Sequence, residues 1–151
     1  MSHYLKRFCK IILLSLSMLS LSLSSGQAQK SDTSILGTPI IIDAGTLKIK
    51  HKTIRLHGII APTARQKCRR KALPWLCGAA AKLFLTKLTQ GQKVRCLNLK
   101  SYTARCFLGA NDLSQMLVRN GWAVPDENGK NYFNAEIEAQ RDKLGLWRYT
   151  N

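Results

Sequence analysis

Between residues 38 and 58, apolar and β-branched residues come in three short runs, Thr38 to Ile42, Thr46 to Lys50 and Thr53 to Gly58. Asp43-Ala44-Gly45 and His51-Lys52 break them, so the pattern predicts a meander of three strands. The period then changes. From about Pro74, Leu76, Ala80, Leu83, Phe84 and Leu88 recur at helical spacing as far as Gly91, which predicts a helix with those side chains toward the core. Two more strand-like runs follow, Val94 to Leu97 around Cys96 and Thr103 to Phe107 around Cys106. Asn111-Asp112 offers an N-cap for a helix over Leu113 to Asn120, stopped by Gly121. A last helix is predicted from about Tyr132 to Lys143, ahead of Gly145-Leu146-Trp147. Five strands with a helix between the third and fourth is the order of an OB-fold barrel, so the fold class is α+β, mainly β, with about three helices. Trp75, Trp122, Trp147 and Tyr132, near helix starts and ends, read as packing residues.

Ahead of the meander the pattern is of another kind. Lys6, Arg7 and Lys10 precede an apolar, Ser-rich stretch from Ile11 to Leu23, and Gly26-Gln27-Ala28 supplies the small residues a signal peptidase reads. A signal peptide over residues 1–28 is expected, with cleavage after Ala28. Its apolar stretch of about 13 residues falls short of the ~20 that cross a bilayer, so no stable membrane insertion is expected after cleavage. The expected location is outside the cytoplasm, periplasmic or secreted. Residues 29–37 are expected to be a disordered leader and 38–151 a single domain.

Cys9 leaves with the signal, and Cys68, Cys77, Cys96 and Cys106 remain, an even set in a compartment that permits oxidation. Three connectivities are open to them. Two arguments favour neighbours. Cys96 and Cys106 lie in strand-like runs joined by a short turn and can face each other across a hairpin, and Cys68 and Cys77 flank a short basic loop. Zinc is the competing use, but no Cys-x-x-Cys and no nearby His pair supports it.

Charge narrows the partner. The chain carries 24 lysines and arginines against 8 acids, a net +16. Without Lys6, Arg7 and Lys10 there remain 21 against 8, or +13. A domain this basic implies an anionic partner or surface. Arg65, Lys67, Arg69, Arg70 and Lys71 fall within seven positions with no acid among them, where a mixture of signs would serve solubility as well.

Candidate chemistry lies just upstream, in Ile42-Asp43-Ala44-Gly45-Thr46-Leu47 and in Ile54-Arg55-Leu56-His57-Gly58-Ile59-Ile60-Ala61-Pro62-Thr63. With Gln66-x-Cys68, Trp75-x-Cys77-Gly78, Val118-x-x-Gly121-Trp122-Ala123 and Gly145-Leu146-Trp147 in this order, the sequence resembles the staphylococcal nuclease (thermonuclease-like) family, in its secreted, disulfide-bearing bacterial branch. That resemblance implies an OB-fold and calcium-dependent hydrolysis of DNA or RNA, carried by Asp-Gly-Asp-Thr-Leu and Ile-Arg-Leu-x-Gly-Ile-Asp-Ala-Pro-Glu. Here Gly45 and Ile60 stand where the family places its two calcium-binding aspartates, and Thr63 where it places the glutamate proposed as general base. Asp43 and Thr46 remain of the metal site, and Arg55 matches the strand arginine that holds phosphate. The family's Arg-Tyr-Gly-Arg turn is missing from Lys100-Ser101-Tyr102-Thr103-Ala104-Arg105-Cys106, and Arg105 is the alternative candidate for its second arginine.

No catalytic or metal site is therefore expected intact and no cofactor is expected, with Ca²⁺ entering only if the enzyme reading holds. The preferred reading is a binding module for an anionic polymer, nucleic acid before acidic polysaccharide, contacted by Arg55, Arg65, Lys67, Arg69, Arg70 and Lys71. The alternative is an active phosphodiesterase with an altered metal site built on Asp43, His57 or Asp126. A third is an accessory role in exopolysaccharide synthesis of the succinoglycan type, since related nuclease-like proteins sit beside such functions. Nothing in the sequence reads out the oligomeric state.

Overall fold

Alternation along the strands gives each of them one side turned to a common interior. The computed structural model describes residues 34–70 and 73–149; the expected signal peptide, the first part of the leader, Lys71 and the Arg70 side chain lie outside the described residues. Its strands are β1 (Ile35–Gly37), β2 (Pro39–Asp43), β3 (Thr46–Ile49), β4 (Lys52–Leu56), β5 (Ile59–Ile60), β6 (Cys68–Arg70), β7 (Leu73–Trp75), β8 (Val94–Lys100), β9 (Thr103–Leu108), β10 (Asn111–Asp112) and β11 (Val124–Pro125). The main sheet runs β1-β8-β9-β4-β3-β2, antiparallel except between β4 and β9. Only Thr38 separates β1 from β2, so the two ends of that path are halves of one bent strand and the sheet closes on itself. The result is the five-stranded barrel that the element order predicts. Leu47, Ile49, Ile54, Leu56 and Val94 fill it, while Lys48, Thr53, Arg55 and Arg95 alternate outward.

β1 lies inside the segment expected to be a disordered leader, so that expectation fails for residues 35–37, which form a strand of the barrel. Ile35 and Gly37 pair with Cys96 and Val94, giving β8 the neighbour it needs for closure. Where the strand bends, a Cβ on Gly37 would come within 2.7 Å of Ile49 Cγ2. A small residue is what that bend admits.

The helices are α1 (Cys77–Thr89), α2 (Leu113–Arg119) and α3 (Phe133–Arg141), the last preceded by a 3₁₀ turn over Lys130–Tyr132. Helix α1 begins three residues after Pro74, because Leu73–Trp75 is instead the second strand of a hairpin with Cys68–Arg70. Its buried stripe is Cys77, Ala81, Leu85 and Thr89, so the expected stripe is rotated: Leu76 and Leu83 face solvent. Close approach decides this. Gly78 lies so near the Thr63 carbonyl that a Cβ there would overlap it, and the glycine-alanine side of α1 is the side that can sit down. Helix α2 forms as expected. The Asp112 carboxylate accepts from the Ser114 and Gln115 N–H groups at 2.9 and 3.4 Å, and Gly121 closes the helix at φ 72°.

Both neighbour disulfides are present. Cys96 sits opposite Cys106 on β8 and β9, with both side chains fully buried inside the barrel. Cys68–Cys77 ties the hairpin to the first residue of α1, with Cα atoms 5.6 Å apart. Tyr132 is core, as expected. Trp75 and Trp122 are only half-buried; their rings lie 6.4 Å apart and Phe84 lies 6.1 Å from Trp122, an aromatic cluster that seats the hairpin against α1.

Candidate functional site

The turn between β2 and β3 is built by its own aspartate. Asp43 Oδ1 accepts from the Gly45 N–H at 2.9 Å, and the Gly45 carbonyl accepts from Leu56 N–H at 2.8 Å, which fixes the turn to the end of β4. Gly45 faces Ala61: a Cβ on Gly45 would lie 3.3 Å from the Ala61 Cβ and 3.7 Å from Asp43 Oδ1. Across the sheet, Thr46 is the register partner of Arg55. Arg55 in turn pairs with Thr103, and its N–H donates to the Tyr102 carbonyl at 2.6 Å. Asp43, Gly45, Thr46 and Arg55 thus form one patch with Ala61, with Tyr102 and Thr103 beside Arg55 and with Ile60 and Thr63 flanking Ala61 along the chain.

Its chemistry is lopsided. β5 pairs with β11 and turns Ile59 inward, so Ile60 points out and is 62% exposed. Where the resemblance calls for the two ligand carboxylates, the patch presents a hydrogen atom on Gly45 and hydrocarbon on Ile60. Asp43 supplies its single carboxylate and already uses one oxygen on the Gly45 N–H. Calcium takes six to eight oxygens, several of them carboxylate, so this donor set does not fit it. Among the described residues, no three His, Cys, Asp or Glu side chains gather closely enough to hold a metal ion. Thr63 is exposed and lies in a turn, its carbonyl accepting from Gln66 N–H at 2.9 Å. A threonine hydroxyl does not take up protons at neutral pH.

Asp126 and His57, the other residues of the altered-metal reading, are each tied into the fold locally. The Asp126 carboxylate caps its own turn, accepting from Asn128 N–H at 2.7 Å. The His57 backbone is tied into the fold: its N–H donates to the Ala104 carbonyl at 3.0 Å and its carbonyl accepts from the Ser114 hydroxyl at 2.8 Å.

Arg105 shares the outer face of β9 with Thr103, two residues before it, but it is held by Asp112. Its Nη2 lies 3.2 Å from Asp112 Oδ2, and its guanidinium lies over the Phe107 ring at 5.5 Å. The same carboxylate oxygen accepts from the Tyr132 hydroxyl at 2.8 Å, while Oδ1 caps α2. Asp112 is 7% exposed, so a buried anion joins β9, α2 and the turn before α3. Its hydrogen bond raises the Arg105 pKa; burial, and then that hydrogen bond, raise the Tyr132 pKa. The strand alternation that placed Arg105 outward gave no sign of this network, because Tyr132 is twenty residues from Asp112 in sequence.

The basic cluster is a hairpin. β6 and β7 carry it, with Arg69 opposite Pro74 and Arg70 opposite Leu73. Arg65, Lys67 and Arg69 are exposed. Gly78 N–H donates to the Gln66 carbonyl at 3.1 Å, so the hairpin's base adjoins Thr63 and the patch beyond it. Pro74, read as a helix start, hid the hairpin; a proline on an edge strand is the signal that could have revealed it.

Compared with known protein families, residues 53–149 match the model of the staphylococcal nuclease homologue family, from β4 to the C-terminal turn. No curated protein matches the chain.

Proposed function

The chain belongs to the staphylococcal nuclease family, and from that membership we propose that it is an exported nucleic-acid-binding domain that has lost calcium-dependent phosphodiesterase activity. The observation that carries the reading is the pair Gly45 and Ile60, the latter exposed at the surface where a ligand carboxylate would stand. Hydrolysis needs a hard cation against the phosphate, a base for the attacking water and positive charge on the phosphoryl oxygens. Only the third remains supplied. Arg55 can grip a phosphate with two parallel N–H groups, and the hairpin's Arg65, Lys67 and Arg69 extend the positive surface along which a backbone can run. Two disulfides support export into an oxidising compartment.

The test pairs a nuclease zymogram, run with Ca²⁺, Mg²⁺, Mn²⁺ and a chelator, with a gel shift on single-stranded and double-stranded DNA and on RNA. Binding without metal-dependent clearing is expected. Clearing that a chelator abolishes would return the domain to the enzymes.

A further inference from the structure

Helix α1 is apolar on two sides and the fold uses one. Cys77, Ala81 and Leu85 go inward, whereas Leu76 and Leu83 are 55% and 53% exposed. Leu83 stands on the outer side of α1, and Leu76 is the residue immediately ahead of its first turn. Leu73, three residues before Leu76, is 72% exposed. Beside the C-terminal half of α1 a surface groove of about 370 Å³ runs between the helix and β2, with Pro39 and Ile40 on one wall and Lys82 and Thr86 on the other. Ile40 is itself 66% exposed. Lys87 lies one helical turn beyond Leu83, and α1 contains no acidic residue.

Nucleic acid does not account for this face. A phosphate backbone answers lysines, but it offers no hydrocarbon in which leucines could be buried. A second copy answers the leucines, but it brings no acid on the same helix to offset Lys82 and Lys87. A surface that is anionic at its boundary and apolar beneath satisfies both requirements.

We propose that the outer face of α1, with the groove beside it, docks on an anionic phospholipid surface. Leu76 and Leu83 enter the boundary between headgroups and acyl chains, and Lys82 and Lys87 pair with headgroup phosphates. The contact lies on the membrane and does not cross it; no helix among the described residues is long and apolar enough to span a bilayer.

The protein purified from the exported fraction is sedimented with vesicles of phosphatidylglycerol and phosphatidylethanolamine, and with vesicles of phosphatidylcholine alone. Binding to the first and not to the second is expected. Leu76→Ser/Leu83→Ser, with the same N-terminus, should lose about 10- to 100-fold in vesicle affinity while its DNA gel shift is unchanged. Because Trp75 adjoins Leu76, brominated phosphatidylglycerol should quench tryptophan emission of the unmodified protein, a readout that needs no variant. No sedimentation and no quenching overturn the proposal. So does equal binding by the serine variant, which would leave only charge at work, and so does a dimer in sedimentation velocity that the serine variant dissolves. None of these results touches the nucleic-acid reading, which stands or falls on the gel shift.

Discussion

At the residue scale, two substitutions and one carboxylate carry most of the meaning. Gly45 and Ile60 were legible in the sequence because a motif position is read one residue at a time. The backbone of Gly45 is outside the left-handed region, so an aspartate fits there if Ala61 yields by a few tenths of an ångström. Gly45→Asp or Ile60→Asp alone leaves the set a carboxylate short and should show no calcium heat by calorimetry; the double variant should bind Ca²⁺ weakly, at roughly 10⁻⁴ to 10⁻³ M, the range of loose sites with few charged ligands. Asp112 was legible only as a helix cap. That it also anchors Arg105 and Tyr132 depends on partners that local pattern cannot link. Asp112→Ala should cost about 2 to 4 kcal/mol, since a cap and two further hydrogen bonds go together. Tyr132, whose pKa is raised by burial, gives a pH signature. The neutral hydroxyl stabilises the fold fully below the ordinary tyrosine value of 10.0, and that contribution is lost as pH rises through the higher folded-state value. In urea titrations the gap between wild type and Tyr132→Phe should therefore be open at pH 8 and narrow once the pH exceeds 10.

At the element scale, β2, β3, β4, β8 and β9 are legible in the sequence because two-residue alternation leaves little choice when one side is buried, whereas β1, three residues long, shows too little of it. Helix α1 was found but its face was not: an apolar residue lies at almost every angle, and the choice between stripes was made by how closely Gly78 and Ala81 let the helix approach the 63–66 turn. The hairpin is held to the body by the chain on either side, by Cys68–Cys77 and by the Trp75–Trp122 contact. If four of its basic residues touch phosphates, the log-log dependence of affinity on salt should have a slope near −3 to −4, at ~0.7 to 0.9 per contact. Gln at Arg65, Lys67, Arg69, Arg70 and Lys71 together should flatten that slope and leave the melting curve in place. Cys68→Ser/Cys77→Ser acts differently, releasing the hairpin and costing about 2 to 3 kcal/mol in the chain-entropy description of a ten-residue loop. Affinity that survives the Gln variant intact would reduce the hairpin to a solvated surface.

At the scale of the whole molecule, charge is sorted along the chain. Between Asp43 and Asp112 there is no acidic residue, and that interval holds most of the lysines and arginines. It folds into the larger part of the barrel, the hairpin and α1, while six of the acids belong to the segment from Asp112 onward. The chain therefore has a strongly positive half, and a surface of that kind draws polyanions quickly at low salt. Collecting is not cutting. Metal, base and second arginine each stabilise a different part of one transition state, so their losses do not repair singly. The unmodified protein should show no calcium-dependent cleavage of DNA or RNA above the buffer blank. Gly45→Asp/Ile60→Asp should restore the cation and still leave no turnover, because Thr63 cannot serve as the base and Arg105 is engaged by Asp112. Hydrolysis should emerge only when Thr63→Glu and an Arg-Tyr-Gly-Arg turn between β8 and β9 are added to that pair. Chelator-sensitive digestion by the natural, contaminant-free protein would mean that this surface recruits its metal by another route, and the binding reading would give way to an active nuclease.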